Sequence, residues 1–459
     1  MNKLTVVAAV RNQIEYNRLF LDTLEKYSEG PYELIVVDNG SDDGSTGLFR
    51  EHGAIVLRNE ENHCYGCSQN QGIARASTGY IACLNNDLCL SPAWDARLIE
   101  HMEAYGLDAI SPCGIETMES ERATRASMRK WRWINCLQRL RMAMGVPYRM
   151  SDLRTLVRLM YGNWEEFTEK RHRQFKDFLY PGISGNAVLV RRSAFDRIGL
   201  WSADVGASDW DFQLRLVKRQ AEKGDIRPSM VAGDVFVHHF IRATVRTVHT
   251  KSWCSHRLRG IKEAYPDRDL VYLDKPAISL VIAFPGPEGN TPERLFDALS
   301  GQTMTDFEIV VVDSEYDRAI ARCIERWNGR FRYPIARVRP GGSGARERES
   351  LAMAVDRARS GYLCFMEGDQ PPPRTFLEDH FRARRVGAVV KSGNAWSLFK
   401  GDIYRLRGGR IGRHDLSERD GGLLEECERS GIKVRKIKVG DPPAFGAPLD
   451  KGGYKDGER

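Results

Sequence analysis

The sequence has no long uninterrupted run of apolar residues. A transmembrane helix needs roughly 18 of them, and no stretch of the 459 residues approaches that length. The opening segment, MNKLTVVAAVRNQ, has a short apolar run that ends in Arg11 and Asn12 without a small-residue cleavage site. We therefore predict a first β-strand here, and we expect a soluble cytoplasmic protein that at most binds the inner face of a membrane.

A complete set of four zinc ligands is also missing. The chain has 10 cysteines, of which Cys64 and Cys67 form a CxxC pair, but no second pair stands at a spacing that would complete a four-ligand zinc site. Cys83, Cys89 and Cys364 lie within or beside apolar, strand-like runs. This distribution is typical of reduced intracellular thiols rather than of a disulfide framework.

A strong charge of either sign is absent. The 69 lysines and arginines exceed the 62 acidic residues by a formal +7, and 42% hydrophobic with 29% charged residues is typical of a globular protein. The excess favours anionic partners without selecting one, so nucleotide diphosphates, acidic glycans, anionic lipids and nucleic acid all remain open. The length predicts two domains.

What the sequence does have is an internal repeat. YELIVVDNGSDDG is echoed by FEIVVVDSEYD, and ARASTGYIACLNNDLCLSPAW by AVDRARSGYLCFMEGDQPPPRTF. In each copy a run rich in β-branched residues ends at an acidic residue, and a helical stretch, a Gly-Tyr pair, a second apolar run and an acidic motif follow. This alternation predicts two α/β domains, each with a mostly parallel sheet flanked by helices.

The repeat suggests domain boundaries. We predict a first domain at 1–245, a linker at 246–275 and a second domain at 276–440. The last segment, 441–459, is rich in glycine, proline and charge, so we expect a mobile tail.

Two predicted strands of the first domain end in polar residues. Asp38 is followed by a glycine-rich turn beginning at Asn39, and the second strand ends in Asn85-Asn86-Asp87. Ligands of open parallel sheets bind at the carboxyl ends of the strands. Asp38 can accept hydrogen bonds from a nucleoside, and Asp87 can hold Mg²⁺ or Mn²⁺ on a diphosphate. Each motif alone is equally explained as a turn that ends a strand.

Two later segments add candidate catalytic groups. Asp209 and Asp211 stand at the head of a helical pattern, where one of them can serve as a general base or merely favour the helix start. His238 and His239 are adjacent on an apolar strand, so only one of them can face a given site. That histidine can complete a metal shell or be satisfied within the core.

In this order the motifs resemble the family 2 glycosyltransferases of GT-A fold, from about Leu4 to Phe240. The resemblance implies that Asp38 contacts the nucleoside and that Asn85-Asn86-Asp87 binds the metal and diphosphate. The family's base follows an acidic residue, whereas Ser208 precedes Asp209 here. Asp209 is therefore the first choice for the base and Asp211 the second.

The resemblance implies the remaining site residues as well. His239 or His238 would be the late metal ligand, with Mn²⁺ or Mg²⁺ as the cofactor. The acceptor side of the pocket would include Gly185, Asn186 and Trp210. Beyond Asp38 and the metal motif, the donor side would include Arg11, Asn39 and Asn70.

The function implied is inverting transfer of a hexose or related sugar from a nucleotide diphosphate sugar to a glycan or lipid-linked hydroxyl. Bacterial surface polysaccharide assembly is the setting that the family suggests. The second half also resembles a GT-A domain, but it is shorter after its motif Glu367-Gly368-Asp369 and lacks a clear histidine strand. We therefore predict that the second domain is degenerate.

An insert at 122–150 interleaves arginines with Trp131 and Trp133. It suits an amphipathic segment on an anionic membrane, a groove for an acidic glycan, or contact with nucleic acid. A solvated helix packed on the domain explains it equally well. Nucleic acid would make the protein a transferase acting on modified bases, and a non-catalytic nucleotide- or sugar-binding module is a further alternative. A nucleotidyltransferase is disfavoured because no glycine-rich basic loop follows the first strand.

Overall fold

The computed structural model describes residues 4–144, 148–227, 229–241, 257–284, 292–313, 317–338, 353–368, 370–406 and 432–439. The predicted tail at 441–459, part of the predicted linker and Asp369 lie outside these described residues. The described chain forms two mainly parallel sheets flanked by helices, which confirms the predicted α/β class.

The first half contributes ten strands. They are β1 (Leu4–Val10), β2 (Tyr32–Asp38), β3 (Ile55–Arg58), β4 (Tyr80–Asn85), β5 (Leu88–Cys89), β6 (Ala109–Cys113), β7 (Leu179–Pro181), β8 (Ala187–Arg191), β9 (Met230–Phe236) and β10 (His238–His239). Eight of them form one sheet in the order β3-β2-β1-β4-β8-β6-β9-β7, and β5 pairs with β10.

The direction of the strands determines at which edge of the sheet the connecting loops lie. Strands β1, β2, β3, β4, β6 and β9 run parallel, and β7 and β8 run antiparallel to them. The central parallel strands are buried along almost their whole length because they are rich in valine, isoleucine and alanine and are covered on both faces. The loops after all six parallel strands therefore leave the sheet at one common edge.

Nine helices of the first half cover this sheet among the described residues. They are α1 (Ile14–Tyr27), α2 (Ser45–Glu51), α3 (Tyr65–Arg75), α4 (Trp94–Tyr105), α5 (Glu121–Ala143), α6 (Met150–Tyr161), α7 (Trp164–Phe175), α8 (Arg192–Ile198) and α9 (Ser208–Lys223). None of the helices in the described part of the chain has the length and apolarity to cross a membrane.

Three consecutive helices, α5 to α7, form an insert between β6 and β7. The basic and aromatic segment predicted at 122–150 is thus only the first part of a longer helical unit, 121–175. Helix α6 buries Leu153, Leu156, Val157 and Met160, whose spacing of three and four residues places them on one face. They join Trp131 of α5 in one apolar cluster, which fixes the insert on the sheet.

The second half repeats the architecture. Its strands are β11 (Ile278–Ala283), β12 (Phe307–Val312), β13 (Ala336–Val338), β14 (Tyr362–Glu367), β15 (Ala388–Ser392), β16 (Ala395–Phe399) and β17 (Lys433–Lys436). Its described helices, with the two short ones that precede the sheet, are α10 (Ile261–Ala264), α11 (Asp267–Leu270), α12 (Pro292–Ser300), α13 (Arg318–Trp327), α14 (Phe376–Ala383) and α15 (Lys400–Leu406).

The two sheets share one strand order. The second runs β13-β12-β11-β14-β16-β15-β17, with β16 antiparallel, which reproduces the first seven positions of the first sheet. An ion pair with a buried carboxylate is also repeated: Asp38 pairs with Arg58, and Asp313 pairs with Arg337 from the neighbouring strand. This topology confirms the tandem arrangement, whereas the exact domain boundaries stay predictions.

The halves pack directly against each other through α15. The ring of Tyr404 packs edge-to-face against Tyr105 of α4, with ring centroids 5.1 Å apart. A Cβ on Gly401 would lie 2.4 Å from the Phe178 ring, so glycine permits the close approach there. Because these side chains are buried, the second half supports the first sheet.

Candidate active site

Polar residues from four strand ends meet at the common edge of the first sheet. Asp38 ends β2, Asn85 ends β4, Glu116 follows β6, and His239 follows β9. The loop that precedes β8 enters from the same edge and carries Asn186. This edge is where parallel α/β sheets bind their ligands.

Asp38 is fully buried, and its carboxylate already has partners. One oxygen accepts a hydrogen bond from the Ser41 amide at 2.9 Å, and the other accepts from Thr46 and from Arg58, the latter at 2.8 Å. Arg58 is half-exposed and covers the carboxylate. Direct contact between Asp38 and a nucleoside would therefore require the Arg58 or Thr46 side chain to give up its hydrogen bond and move away from the carboxylate.

The other predicted donor residues differ in their surroundings. Asn39 is buried and accepts a hydrogen bond from Asn59 at 2.9 Å. Asn70 is bonded to both backbone groups of Trp201, so it braces α3 against that loop. Arg11 follows β1 directly and is partly exposed at the edge itself.

The Asn85-Asn86-Asp87 motif is anchored on both sides. The Asn85 amide donates to the Asn186 carbonyl at 2.8 Å, and the Asn86 side chain donates to Asn17 of α1 at 2.6 Å. Asp87 is buried, and its Oδ1 has no hydrogen-bond partner. The oxygen is in ion-pair range of the His239 imidazole but without hydrogen-bond geometry, so it keeps the capacity to bind a ligand.

The two histidines point to different surroundings, as alternation along a strand requires. Pairing of β5 with β10 sets His239 beside Asp87, with Nε2 3.3 Å from Oδ1. His238 is fully buried against Trp131, and its Nδ1 lies 2.8 Å from the Tyr161 hydroxyl. Burial, together with repulsion from His239, lowers the pKa of His238 to about 3, so this ring is neutral. Of the two predicted ligands, the structure brings His239 to the site.

Glu116 is a site residue that the sequence analysis missed. Its Oε2 lies 2.6 Å from Nδ1 of His239 and accepts a long hydrogen bond, 3.4 Å, from the Asn186 side chain. Burial acts to lower the pKa of His239, but the carboxylates of Asp87 and Glu116 outweigh it and raise the pKa to about 10. His239 is therefore protonated in this arrangement at neutral pH. It must release that proton to act as a metal ligand.

Asp209 lies against Gly185, the glycine that precedes Asn186. A Cβ on Gly185 would lie 2.4 Å from Asp209 Oδ2 and 2.7 Å from its carboxyl carbon. Burial raises the pKa of Asp209, an effect that the backbone amides of its helix start oppose and that Glu116 reinforces. Asp209 is partly exposed, and a carboxylate with a raised pKa that solvent can still reach has the properties of a general base.

Asp211, the second choice for the base, has structural partners. Its Oδ2 accepts hydrogen bonds from Arg215 at 2.7 and 2.9 Å, and its Oδ1 accepts from the Tyr265 hydroxyl at 2.5 Å. Trp210 between the two aspartates is 44% exposed, which leaves its ring accessible from solvent. The geometry thus favours Asp209 over Asp211 as a base.

The contact between Gly185 and Asp209 gives a direct prediction. We expect Gly185→Ala to displace the Asp209 carboxylate, because a methyl group cannot occupy the same space. A misplacement of about 1 Å at a reacting group costs roughly 10²-fold in rate. Steady-state transfer rates measure this loss. Gly79→Ala is the matched control, since a Cβ there meets nothing within 4 Å, and equal activity of both variants would contradict the placement of Asp209.

The residues around Asp87 suit a divalent cation in their chemistry. They offer the unbonded Oδ1 of Asp87, the imidazole of His239 and the carboxylate of Glu116, all within one set of contacts. Oxygen ligands with one imidazole suit Mn²⁺, and oxygen ligands suit Mg²⁺. In the part of the chain that the structure describes, no three such side chains are already arranged as a metal cluster. In the structure His239 instead lies between the two carboxylates, with Nε2 toward Asp87 and Nδ1 toward Glu116.

Part of the chain matches a known protein family. Residues 5–199 match the family model described as glycosyl transferase family 2. This region is a family 2 glycosyltransferase domain. The match covers the sheet edge from Asp38 to Asn186, and it confirms the family and the GT-A fold expected from the resemblance.

Individual relatives are distant. Glycosyltransferase AglE of Haloferax volcanii is 28% identical over 114 residues, which are 23% of this chain and 37% of AglE. The solved mannosyltransferase PcManGT of Pyrobaculum calidifontis, in complex with GDP-Man and Mn²⁺, is 16% identical with a TM-score of 0.33 over 52% of this chain and 56% of that one. The solved structure of S. aureus TarS in complex with UDP-GlcNAc is 12% identical, with a TM-score of 0.34 over 54% of this chain and 62% of that one.

The second half differs from the glycosyltransferase domain at the corresponding edge. Strand registers pair Ala9 with Asn85 and Ala283 with Glu367, so Gly368 takes the place of Asn86. The ring of Phe284 packs on that glycine, and a Cβ on Gly368 would lie 2.5 Å from it. An aromatic ring thus fills space next to the motif. This contact supports the prediction that the second half is degenerate.

A cavity of about 230 Å³ in the glycosyltransferase domain lies away from the predicted site residues. Buried Asp234 lies in it between two histidines, with His101 Nε2 at 3.0 Å and His172 Nδ1 at 3.1 Å. Although burial opposes it, hydrogen bonds and charge from these histidines keep the pKa of Asp234 well below its ordinary value. The group is a buried ion-pair network that ties α4 and α7 to β9.

Proposed function

We propose that the glycosyltransferase domain moves a sugar from a nucleotide diphosphate sugar to a hydroxyl of a glycan or lipid-linked acceptor, with inversion at the anomeric carbon. The observation that carries this proposal is one series of contacts. It runs from Asp87 through His239 and Glu116 to Asn186, and Gly185 links that end to Asp209. A candidate donor site and a candidate base are thus joined by one series of contacts at the sheet edge.

Asp209 would supply the base. Its carboxylate takes the proton of the acceptor hydroxyl while the hydroxyl oxygen bonds to the anomeric carbon and the bond to the diphosphate breaks. Burial supports this role because it makes the carboxylate more basic than an exposed aspartate. One displacement of this kind inverts the anomeric configuration.

The diphosphate would lie at the Asn85-Asn86-Asp87 end. Asp87, His239 and Glu116 are the residues that would hold Mn²⁺ or Mg²⁺, which supplies positive charge that stabilises a departing diphosphate. Asn186 and Gly185 would position the acceptor between this end and Asp209, with Trp210 exposed at the rim. The nucleoside would lie nearer Asp38, Asn39 and Arg11. Surface polysaccharide assembly on the cytoplasmic side is the setting that we propose from the family resemblance.

A thermal-shift screen of nucleotide sugars, with and without Mn²⁺, tests donor binding. A ligand that binds only the folded state raises the melting temperature, so we expect one donor to raise it more than the others, and more with Mn²⁺ than without. A donor concentration of one hundred times Kd stabilises the folded state by about 2.7 kcal/mol. A flat profile across all donors would favour the rival interpretation of a module that binds something else.

A further inference from the structure

The outer face of α5 is basic and carries an exposed tryptophan. Arg122, Arg125, Arg129, Arg132 and Trp133 are all exposed, and their spacing of three and four residues places them along one side of the helix. The Trp133 side chain is 76% exposed. An exposed tryptophan beside several basic residues is typical of a protein surface that binds at a membrane–water interface.

Exposed apolar side chains concentrate in the same insert. Among the described residues, the three most exposed large hydrophobic side chains are Trp133 at 76%, Met144 at 66% and Leu159 at 56%, and all three lie between 121 and 175. A single exposed apolar residue is ordinary, but a concentration in one unit marks an interaction surface.

The positive charge on this face is largely uncompensated. Arg125 pairs with Glu121 at 2.7 Å, whereas Arg122, Arg129 and Arg132 have no acidic partner in the part of the chain that the structure describes. Three unpaired guanidinium groups on one helix favour an anionic partner, and each can form bidentate bonds with phosphate.

The opposite face of α5 reaches the active site. Trp131 is buried and packs edge-on against His238 with ring centroids 4.7 Å apart, and His238 directly precedes His239. Lys130 also bonds to the Met160 carbonyl of α6, which holds the two helices together. Because a helix with its side chains is about 10–12 Å across, the basic face lies about one helix diameter from His238.

We propose that α5 docks the protein on an anionic lipid surface, with Trp133 at the headgroup level and the arginines on lipid phosphates. A lipid surface would account for both features of the insert, because it can neutralise the arginines and can also take up exposed aliphatic side chains such as Met144 and Leu159. A polynucleotide offers phosphates but no apolar region for these two side chains. Docking would deliver a lipid-borne acceptor to the cleft, and in that respect the inference rests on the proposed function.

Vesicle flotation with the full chain tests the proposal. We expect binding to vesicles that contain phosphatidylglycerol, weakening with salt, and little binding to pure phosphatidylcholine. Each basic residue near an anionic surface contributes about 1 kcal/mol, so the combined variant Arg122→Gln, Arg129→Gln and Arg132→Gln should bind about 100-fold more weakly. Trp133→Ala should also weaken binding.

Control variants distinguish a specific effect of the α5 surface from a general effect of lost charge or lost apolar area. The combined variant Arg294→Gln, Arg318→Gln and Arg322→Gln loses the same charge from exposed positions of the second half, and Ile55→Ala removes an exposed apolar group elsewhere; both should bind as the unmodified protein does. Circular dichroism checks folding. Equal binding by both triple variants, no preference for phosphatidylglycerol, or tighter binding to polynucleotide than to vesicles would overturn the proposal. Flotation needs no donor, so it succeeds or fails independently of glycosyl transfer.

Discussion

Replacing Asp209 with asparagine is expected to lower the rate of sugar transfer by about 10²–10⁴-fold, the usual contribution of a positioned general base. Asparagine has the same shape but cannot take the proton of the acceptor hydroxyl. The proposed donor site at Asp87 is separated from Asp209 by the Gly185–Asn186 segment, so we expect donor affinity to change little. Turnover and donor affinity, measured separately by product formation and calorimetry, check both parts.

The pH dependence should follow from the same residue. A base works only when deprotonated, so activity should fall as pH decreases through the pKa of Asp209. Burial raises that pKa, so the decline should occur at a higher pH than for an exposed aspartate, whose pKa is about 3.9. The acidic limb should be absent from the residual activity of Asp209→Asn.

Two controls distinguish the base from its neighbours. Asp196→Asn removes an exposed carboxylate from α8 and should leave transfer unchanged. Asp211→Asn breaks the buried contacts with Arg215 and Tyr265, so it should lower the melting temperature more than the turnover of the folded enzyme. If Asp209→Asn transfers sugar normally while Asp211→Asn does not, the assignment of the base is wrong.

Replacing Asp87 with asparagine is expected to remove metal-dependent donor binding. Partners that only orient a metal ligand typically contribute 10–100-fold to metal affinity, so loss of the ligand itself should cost at least about 100-fold. The substitution preserves the volume of the buried side chain while removing its charge. Titration of Mn²⁺ and donor by calorimetry measures the effect.

Asp42→Asn is the matched control, because Asp42 is an exposed carboxylate on the loop after β2. We also expect Mn²⁺ affinity to rise with pH in the unmodified protein, since His239, whose pKa is raised to about 10, must lose a proton to become a ligand. Unaltered Mn²⁺ and donor affinity in Asp87→Asn would place the metal elsewhere.

The sequence was sufficient to predict much of the sheet edge. Runs of valine and isoleucine in β2 and β4 predict buried parallel strands, and the polar residues that follow them had to emerge on one side. Alternation along the strand also predicted that only one of His238 and His239 would face the site. The repeat predicted the tandem sheets because local patterns recur in the same order.

Other features depend on contacts that no local pattern reveals. Glu116 reaches His239 because β6 lies beside β9, a pairing between segments more than a hundred residues apart. Its position three residues after the end of an apolar strand was the available signal, similar to the one that identified Asp38 at the end of β2. The enclosure of Asp38 follows from the register that sets it opposite Arg58. The insert proved longer than predicted because α6 and α7 complete one apolar cluster with α5.

The most direct test of the account is the release of nucleoside diphosphate by the unmodified full chain from a panel of nucleotide sugars, with Mn²⁺ and after chelation by EDTA. We predict slow hydrolysis of one donor that requires the metal, accelerates when the acceptor is added and is lost in Asp87→Asn. Release that is indifferent to metal and to Asp87, or no release from any donor with or without acceptor, would contradict the central claim that this cleft activates a nucleotide sugar.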